Sequence, residues 1–108
     1  MNVVGIEPIE DGLGLTLQTT SAEQEAALRS LRDRLSKKLK MRHPGHDKYS
    51  WHTALGYTLR HLTPEEVARM QEFLRTWLEA HVVSFELGVP ELCVYDDMCH
   101  FTRVFYLD

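Results

Sequence analysis

The sequence lacks any long hydrophobic segment. Its 108 residues contain no apolar run near the roughly 18 residues that a membrane-spanning helix requires. The N-terminus also has no basic segment followed by an apolar stretch, as a secretory signal would have. We therefore expect a cytoplasmic protein that folds in water.

Cysteine is scarce, since Cys93 and Cys99 are the only two. The five residues between them fit neither a Cys-x-x-Cys redox pair nor half of a common zinc site. We expect two reduced, partly buried thiols, as is usual in a reducing compartment. Internal repeats and low-complexity segments are also absent, so residues 1–108 are predicted to form a single domain.

An excess of positive charge is missing as well. The formal net charge is −4, which argues against broad electrostatic binding of nucleic acid. Half of the twelve basic residues nevertheless lie between residues 34 and 48, with Asp47 as the acid among them. Such a segment is either the solvated end of a helix or a local anion-attracting surface, and the sequence leaves both open. The six basic residues are Arg34, Lys37, Lys38, Lys40, Arg42 and Lys48.

Alternation and turn residues predict the first two strands. Residues 3–9 are a strand ended by Pro8, and Leu13, Leu15 and Leu17 alternate with polar or small residues in a second one. The Asp-Gly pair within residues 10–12 predicts a hairpin turn between them.

Two helices follow, each with a start signal. The first begins with a capping box, either Thr20 with Glu23 or Ser21 with Gln24, and ends before Pro44 and Gly45. Its apolar stripe is Leu28, Leu31, Leu35 and Leu39. The second begins at Thr63, Pro64 and Glu66. Its predicted buried stripe is Val67, Met70, Phe73, Leu74, Trp77 and Leu78.

Strands are also predicted at residues 50–59, 82–89 and 100–107, with a short one near residues 90–95. The order β-β-α-β-α-β-β(-β) indicates an α+β fold in which two helices cover one face of an antiparallel sheet. The other face of such a sheet is open to a ligand or to another lobe.

The strand at residues 50–59 carries a histidine on its less apolar side. Alternation puts Trp51, Thr53, Leu55, Tyr57 and Leu59 on one side, which we expect to pack under the helices. The other side holds His52, Ala54, Gly56, Thr58 and Arg60. His52 should therefore point away from the core, above small residues and beside the basic segment. An imidazole in such a cleft suits acid–base chemistry on a phosphate.

The segment "YSWHTALGYTLRHL", followed by a helix and then by "ELGVPELCVYDDMCHF", resembles the C-terminal part of the 2H phosphoesterase superfamily. The similarity is to the branch that includes 2′-5′ RNA ligase and cyclic phosphodiesterase-like proteins, and it covers the chain from about residue 3. It implies a bilobal, metal-free enzyme without a cofactor. In that family each lobe supplies a His-x-Thr/Ser strand, and the two histidines serve as base and acid on a phosphodiester, often a 2′,3′-cyclic one.

The resemblance assigns residue roles with two departures. His52 matches the family histidine, while Leu55 and Tyr57 match structural positions of the strand. The hydroxyl residue expected two positions after the histidine is Ala54 here. No second His-x-Thr/Ser strand is evident, although His100 with Thr102 has that spacing and is the second catalytic candidate. The candidate substrate-binding residues are Thr58, Arg60, Lys48 and Tyr57.

The missing second lobe leaves three hypotheses. A homodimer, or a second lobe that this chain lacks, completes a phosphodiesterase that acts on a nucleotide or an RNA end. Alternatively, the chain is a binding or structural lobe without catalysis, which Ala54 favours. A metal site built from His43, His46, His52 and Asp47 is the third, although no cysteine lies near these residues and no metal is implied by the resemblance.

Overall fold

The computed structural model describes residues 1–9 and 12–107. The elements follow the predicted order, and the predicted α+β class with antiparallel strands and two helices is confirmed. The turn predicted at residues 10–12 falls on residues 10 and 11, which lie outside the described part. The elements are β1 (Asn2–Ile6), β2 (Gly12–Gln18), α1 (Ala22–Leu39), a 3₁₀ turn (His46–Lys48), β3 (His52–Tyr57), α2 (Pro64–Ala80), β4 (Glu91–Val94) and β5 (Thr102–Tyr106).

The first three strands form one antiparallel sheet in the order β1-β2-β3. The outer edge of β1 is covered by residues 83–85, through the Val3 N–H to Val83 carbonyl bond and two bonds between Met1 and Phe85. The strand predicted at residues 82–89 is wrong as a full strand. It is reduced to an isolated bridge between Asn2 and Ser84, because these three hydrogen bonds end at Phe85.

The register of the sheet places the leucines of β2 on the core side. Leu15 lies between Ile6 and Thr53, and Leu17 lies between Val3 and Trp51. Directly opposed residues share one face of a sheet, so this side is mainly apolar. Only three apolar residues of the described part are buried, namely Met1, Ile9 and Leu17.

Both helices begin where the capping residues predict. Ser21 caps α1 by accepting the Gln24 N–H at 3.1 Å, which confirms it as the cap, whereas the Gln24 side chain accepts the Thr20 N–H at 2.9 Å and so does not complete a box with Ser21. Thr63 caps α2, accepts the Glu66 N–H at 3.2 Å and donates its own N–H to the Glu66 carboxylate at 2.9 Å. These bonds satisfy donors that the first turn of a helix leaves free.

The buried stripe predicted for α2 is partly wrong. Phe73 is 68% exposed and Trp77 is 44% exposed, whereas the aliphatic members of the stripe and Met70 are half-buried. Helix α2 packs against β1 alone among the described helices and strands. One strand covers only a narrow part of a helix, so the aromatic residues at the margin of the stripe stay in solvent. Trp77 stacks instead on the exposed ring of His81, at 4.1 Å between ring centroids.

Strands β4 and β5 form a separate two-stranded sheet. We call residues 90–107 the hairpin arm. Within residues 1–9 and 12–107, no Cα atom of another helix or strand lies within 8 Å of β4 or β5. An isolated hairpin of this kind is at best marginally stable in water. The arm therefore depends on contacts that these elements do not supply.

The chain is expanded for its length. Its radius of gyration is 16.1 Å, whereas about 13 Å is typical of a compact chain of this size. Its accessible surface is 8732 Å², against about 6,200 Å² for a folded monomer of the same mass. In the described residues, no helix combines the length and apolar character that crossing a bilayer requires.

Candidate functional site

His52 belongs to a row of three residues that crosses the sheet. It lies directly opposite Thr16 of β2, and Thr16 lies opposite Gly5 of β1. Residues paired in this way have Cβ atoms about 4.5–5.5 Å apart on the same face. The His52 side chain is exposed. An imidazole and a hydroxyl thus stand side by side on the face opposite the leucines.

The next pair of residues on this face, Gly14 and Ala54, forms the floor beside His52 and Thr16. Gly14 is paired with Ala54, and the backbone N–H of Glu7 donates to the Gly14 carbonyl at 2.9 Å. A Cβ on Gly14 would meet the Glu7 side chain at 3.2–3.3 Å, so the carboxylate chain lies across the glycine. Thr16 Oγ1 donates to Glu7 Oε1 at 2.9 Å. The small Gly14 thus makes room for the Glu7 side chain, which orients the hydroxyl next to His52.

A β-bulge changes the side on which Tyr57 lies. Ala54 pairs with Gly14 and Gly56 pairs with Leu13, so Leu55 is an extra residue without a partner on β2. Beyond a bulge the alternation is reversed, and Tyr57, paired with Gly12, joins the His52 face. The prediction that Leu55, Tyr57 and Leu59 pack under the helices is wrong. They are 60%, 63% and 104% exposed, because β3 is an edge strand and Leu59 lies beyond its end.

Lys48 ends the 3₁₀ turn that precedes β3. It lines an open depression together with Thr16, Tyr49 and Trp51. The Tyr49 ring is 5.6 Å from the His52 ring between centroids. The Lys48 cation and the Thr16 hydroxyl therefore line one depression, and Tyr49 connects it to the ring of His52. Of the candidate substrate-binding residues, Tyr57 is the one that the strand register brings to the side of His52, and Lys48 lies in the segment before β3.

A cluster of charged and aromatic side chains, which we call the Trp51 cluster, holds the start of β3 against α1. Trp51 Nε1 donates to Glu25 at 2.8 Å, and the Arg29 guanidinium lies 4.7 Å from the centre of the Trp51 ring. Arg32 lies 3.8 Å from the centre of the Tyr49 ring. The Trp51 hydrogen bond, and after it that of Arg29, lowers the pKa of Glu25. This cluster fixes the residues on both sides of Ser50 and hence the position of His52.

Arg60 is turned towards the start of α2. Both of its Nη atoms donate to the Glu66 carboxylate, at 2.8 and 3.0 Å, and Nη1 also donates to the His61 carbonyl at 3.1 Å. A bidentate pair of this kind occupies most of a guanidinium fork. Thr58 is half-buried and follows the end of β3. These two candidates thus lie beyond the strand that carries His52.

The Arg60 pair makes stability depend on pH through Glu66. Hydrogen bonds from Arg60 and from the Thr63 backbone lower the pKa of Glu66 to about 2 from an ordinary value of 4.5. The Glu66 carboxylate is thus protonated at a higher pH in the unfolded chain than in the folded protein. The contribution of Glu66 to the free energy of unfolding is complete at pH values above the unfolded pKa. It is lost as pH falls towards the folded pKa.

We expect Glu66→Gln to lower the melting temperature at pH 7. The difference from the unsubstituted protein should shrink as pH falls from 5 towards 3, as thermal unfolding over this range would reveal. Glu65→Gln is the control, because it removes the same charge from the same helical turn without touching the Arg60 pair. A difference between Glu66→Gln and the unsubstituted protein that is constant with pH would contradict this account.

His100 is separated from the His52 face. It lies between β4 and β5, and the small depression that it lines is formed by residues of the hairpin arm alone. No Cα atom of the three-stranded sheet lies within 8 Å of a Cα atom in β4 or β5. Two groups that act on one substrate must both reach it, at hydrogen-bond distance or through one water. The depression that His100 lines contains neither His52 nor another residue of the three-stranded sheet.

Metal-ligating side chains meet at the end of α1. Asp33, His46 and Asp47 offer ligand atoms within 4.8 Å of one another, whereas His43 and His52 of the predicted set do not take part. His46 is buried, and its Nε2 lies 2.7 Å from Asp33 Oδ1. Arg42 donates to Asp47 at 2.6 Å, which places a cation against one of the carboxylates. These contacts tie the loop that holds "HPGH" to α1.

Sequence reasoning missed Thr16 and Glu7. Both become part of the site only through strand pairing, because they lie far from His52 along the chain. The available signal was the alternation in β2, which sets Gly14 and Thr16 on the face opposite its leucines. A prediction that β2 pairs with β3 in this register would have found the hydroxyl.

The comparisons with known proteins give a fold neighbour. No family model matches the sequence, and no curated protein matches it. A crystal structure of ATU0111, a conserved protein of unknown function from Agrobacterium tumefaciens strain C58, has a TM-score of 0.74 and 27% sequence identity to this chain. The match covers 99% of this chain and 46% of ATU0111. The chain therefore shares its fold with about half the length of a protein of unknown function.

Proposed function

We propose that this chain is one lobe of a 2H-type phosphoesterase and that it acts on a phosphodiester of a nucleotide or an RNA end, as a cytoplasmic enzyme. The 2′,3′-cyclic phosphate is the substrate type that the sequence resemblance implies. The observation that carries the proposal is the pairing of His52 with Thr16 above the floor of Gly14 and Ala54. In this pairing Thr16 supplies a hydroxyl beside His52, where Ala54 of β3 has none.

The chemistry assigned to His52 is proton transfer. As general base it takes a proton from water while the water oxygen bonds to phosphorus, and the bond from phosphorus to one ribose oxygen breaks. That oxygen then needs a proton from a general acid. A positioned acid or base of this kind contributes about 10²–10⁴-fold to a rate. Lys48 would offset the charge on the phosphate oxygens.

Thr16 takes the part that the family gives to the residue two positions after the histidine. Its hydroxyl donates to Glu7 in the free protein, so it must turn from Glu7 to donate to a phosphate oxygen. A hydroxyl has one proton to donate. Glu7 therefore competes with the substrate, and phosphate binding depends on the cation of Lys48 to offset the nearby carboxylate.

The general acid would come from a second lobe. His52 is the one histidine on the described part of this face, and His100 lies in the hairpin arm. A homodimer would bring two His52 side chains across a twofold axis, with one as base and the other as acid. A further lobe in a longer chain is the other possible source of the acid.

The direct test is hydrolysis of a 2′,3′-cyclic nucleotide with a chelator present. We expect Thr16→Val to raise KM about 10–100-fold, because a hydrogen bond to a charged group contributes about 1.5–3 kcal/mol. Thr53→Val is the matched control, since Thr53 lies one position from His52 on the opposite face and pairs with Leu15. Equal effects of the two substitutions would show that Thr16 has no role in binding. Hydrolysis by none of these proteins, at concentrations where two copies associate, would refute a phosphodiesterase formed by copies of this chain alone.

A non-catalytic nucleotide- or RNA-binding lobe is the second candidate. The observation that favours it is Ala54 in place of the family hydroxyl, together with the bond that directs Thr16 to Glu7. Under this alternative, a nucleoside 2′,3′-cyclic phosphate binds without being hydrolysed. Calorimetry with the same nucleotide, combined with the hydrolysis assay, would distinguish the two functions. A non-catalytic lobe binds the nucleotide and does not hydrolyse it, whereas the phosphodiesterase does both.

A further inference from the structure

The hairpin arm is amphipathic, and its apolar side is uncovered. The register pairs Leu92 with Phe105 on one side, to which Val94 also belongs. Arg103 on the other side donates to Glu91 at 3.3 Å and to the Tyr106 hydroxyl. Phe105 is 52% exposed and Val94 is 59% exposed, although they form the apolar side. A sheet with one apolar face normally buries that face against another layer.

The edge of β3 is the matching uncovered feature of the main sheet. β3 is the last strand of the order β1-β2-β3, and its outer edge has no partner strand among the described residues. Exposed edges are normally protected by charged residues, by proline or by a β-bulge, and β3 has only the bulge at Leu55. The sequence HTALGY contains no Asp, Glu, Lys, Arg or Pro. Leu55 and Tyr57 add exposed apolar surface beside this edge.

The amount of surplus surface fits a permanent interface. The accessible surface of the chain exceeds that of a compact monomer of its mass by about 2,500 Å². If two copies each covered this surplus, the interface would bury about 5,000 Å² in total, within the range of obligate dimers. Surface contacts between two rigid, closed monomers would cover far less.

We propose that the hairpin arm of one copy docks against the β3 edge of a second copy and that the second arm does the same in return. One chain carries both complementary surfaces, so the contact closes as a twofold dimer without a different partner. In this contact the apolar side of the arm covers Leu55 and Tyr57, while the unpaired backbone groups of β3 keep water or strand partners. The proposal concerns association alone and holds whether or not His52 acts on phosphodiesters.

The test uses the unsubstituted chain and two double variants. Light scattering during gel filtration at micromolar concentration should give twice the chain mass of 12.5 kDa. Val94→Ser with Phe105→Ser removes the apolar side of the arm, and we expect the dimer dissociation constant to rise about 100-fold or more. Cys93→Ser with Tyr106→Ser is the matched control on the polar side of the same strands, where Tyr106 is 50% exposed, and it should remain a dimer.

Hydrogen exchange on the unsubstituted chain keeps the test independent of how the variants fold. Amides of β4 and β5 should be protected at concentrations where the dimer forms and should exchange rapidly on dilution. A monomer at micromolar concentration overturns the proposal and leaves the arm to a different part of a longer protein. A dimer that survives the Val94 and Phe105 substitutions, or an arm whose exchange does not change with dilution, overturns it as well.

Discussion

His52→Ala is expected to lower kcat/KM for a 2′,3′-cyclic nucleotide by about 10²–10⁴-fold, because the residue transfers the proton on which the proposed hydrolysis depends. The imidazole is exposed, and it lies on the side of β3 away from the leucine core. Alanine at this position should therefore leave the fold intact, which circular dichroism and thermal unfolding can verify. Initial rates with a chelator present measure the effect.

His43→Ala is the control for this substitution. His43 lies in an exposed loop within the basic segment and accepts the Gly45 N–H, so the substitution removes an imidazole from this region without touching β3. It should leave kcat/KM unchanged. Equal losses in both variants would mean that histidines near the basic segment contribute through charge alone, and would remove His52 from the catalytic role.

The same assay reveals where the second proton-transfer group resides. If two copies share the site, specific activity rises with protein concentration over about a hundredfold range, since mass action sets the fraction of dimer. Activity independent of concentration would assign the second group to the same chain, with His100 and Glu7 as the residues to substitute next. Because the arm variants change association alone, their loss of activity at low concentration should be recovered at high concentration.

Trp51→Ala is expected to destabilise the protein by about 2–4 kcal/mol, as removal of a large and partly buried aromatic side chain does. Trp51 is the centre of the Trp51 cluster: it donates to Glu25, lies under Arg29 and contacts the edge of Tyr49 at 5.4 Å. Among the described residues, no Cα atom of α1 lies within 8 Å of a Cα atom in a strand, so α1 is connected to the sheet through side chains, those of the Trp51 cluster among them. Urea unfolding measures the change.

Trp77→Ala is the matched control for Trp51→Ala. It removes the other tryptophan, which is exposed on α2 and stacks on His81, and should change stability by less than about 1 kcal/mol. Trp51→Phe should recover part of the loss, because it keeps a ring for Arg29 and loses only the indole N–H. A Trp51→Ala change no larger than that of Trp77→Ala would mean that α1 is held elsewhere.

Local signals in the sequence were sufficient for the order of elements and for the helix starts. Ser21 and Thr63 cap their helices as predicted, because a cap requires only residues within three positions of each other. The alternation in β2 likewise assigned its leucines to one face. The alternation in β3 in turn predicted that His52 points away from the core.

Long-range pairing decided what the sequence could not. The bulge at Leu55 depends on how β3 meets β2, and it moved Tyr57 to the side of His52. Strand pairing also placed Thr16, and with it Glu7, beside His52. Arg60, by contrast, forms an ion pair with Glu66. The positions of Tyr57, Thr16 and Glu7 depend on register, which a pattern within one strand does not contain.

The sequence by itself determined an α+β chain, its helix caps and an outward-facing histidine, because these depend on neighbours within a few residues. Only the tertiary structure decided that β4 and β5 stand apart as an arm and that Phe73 and Trp77 remain exposed. An apolar pattern in the sequence predicts that one side of an element is buried. The arrangement of the other helices and strands decides which element buries it. In this chain the described elements leave that surface open.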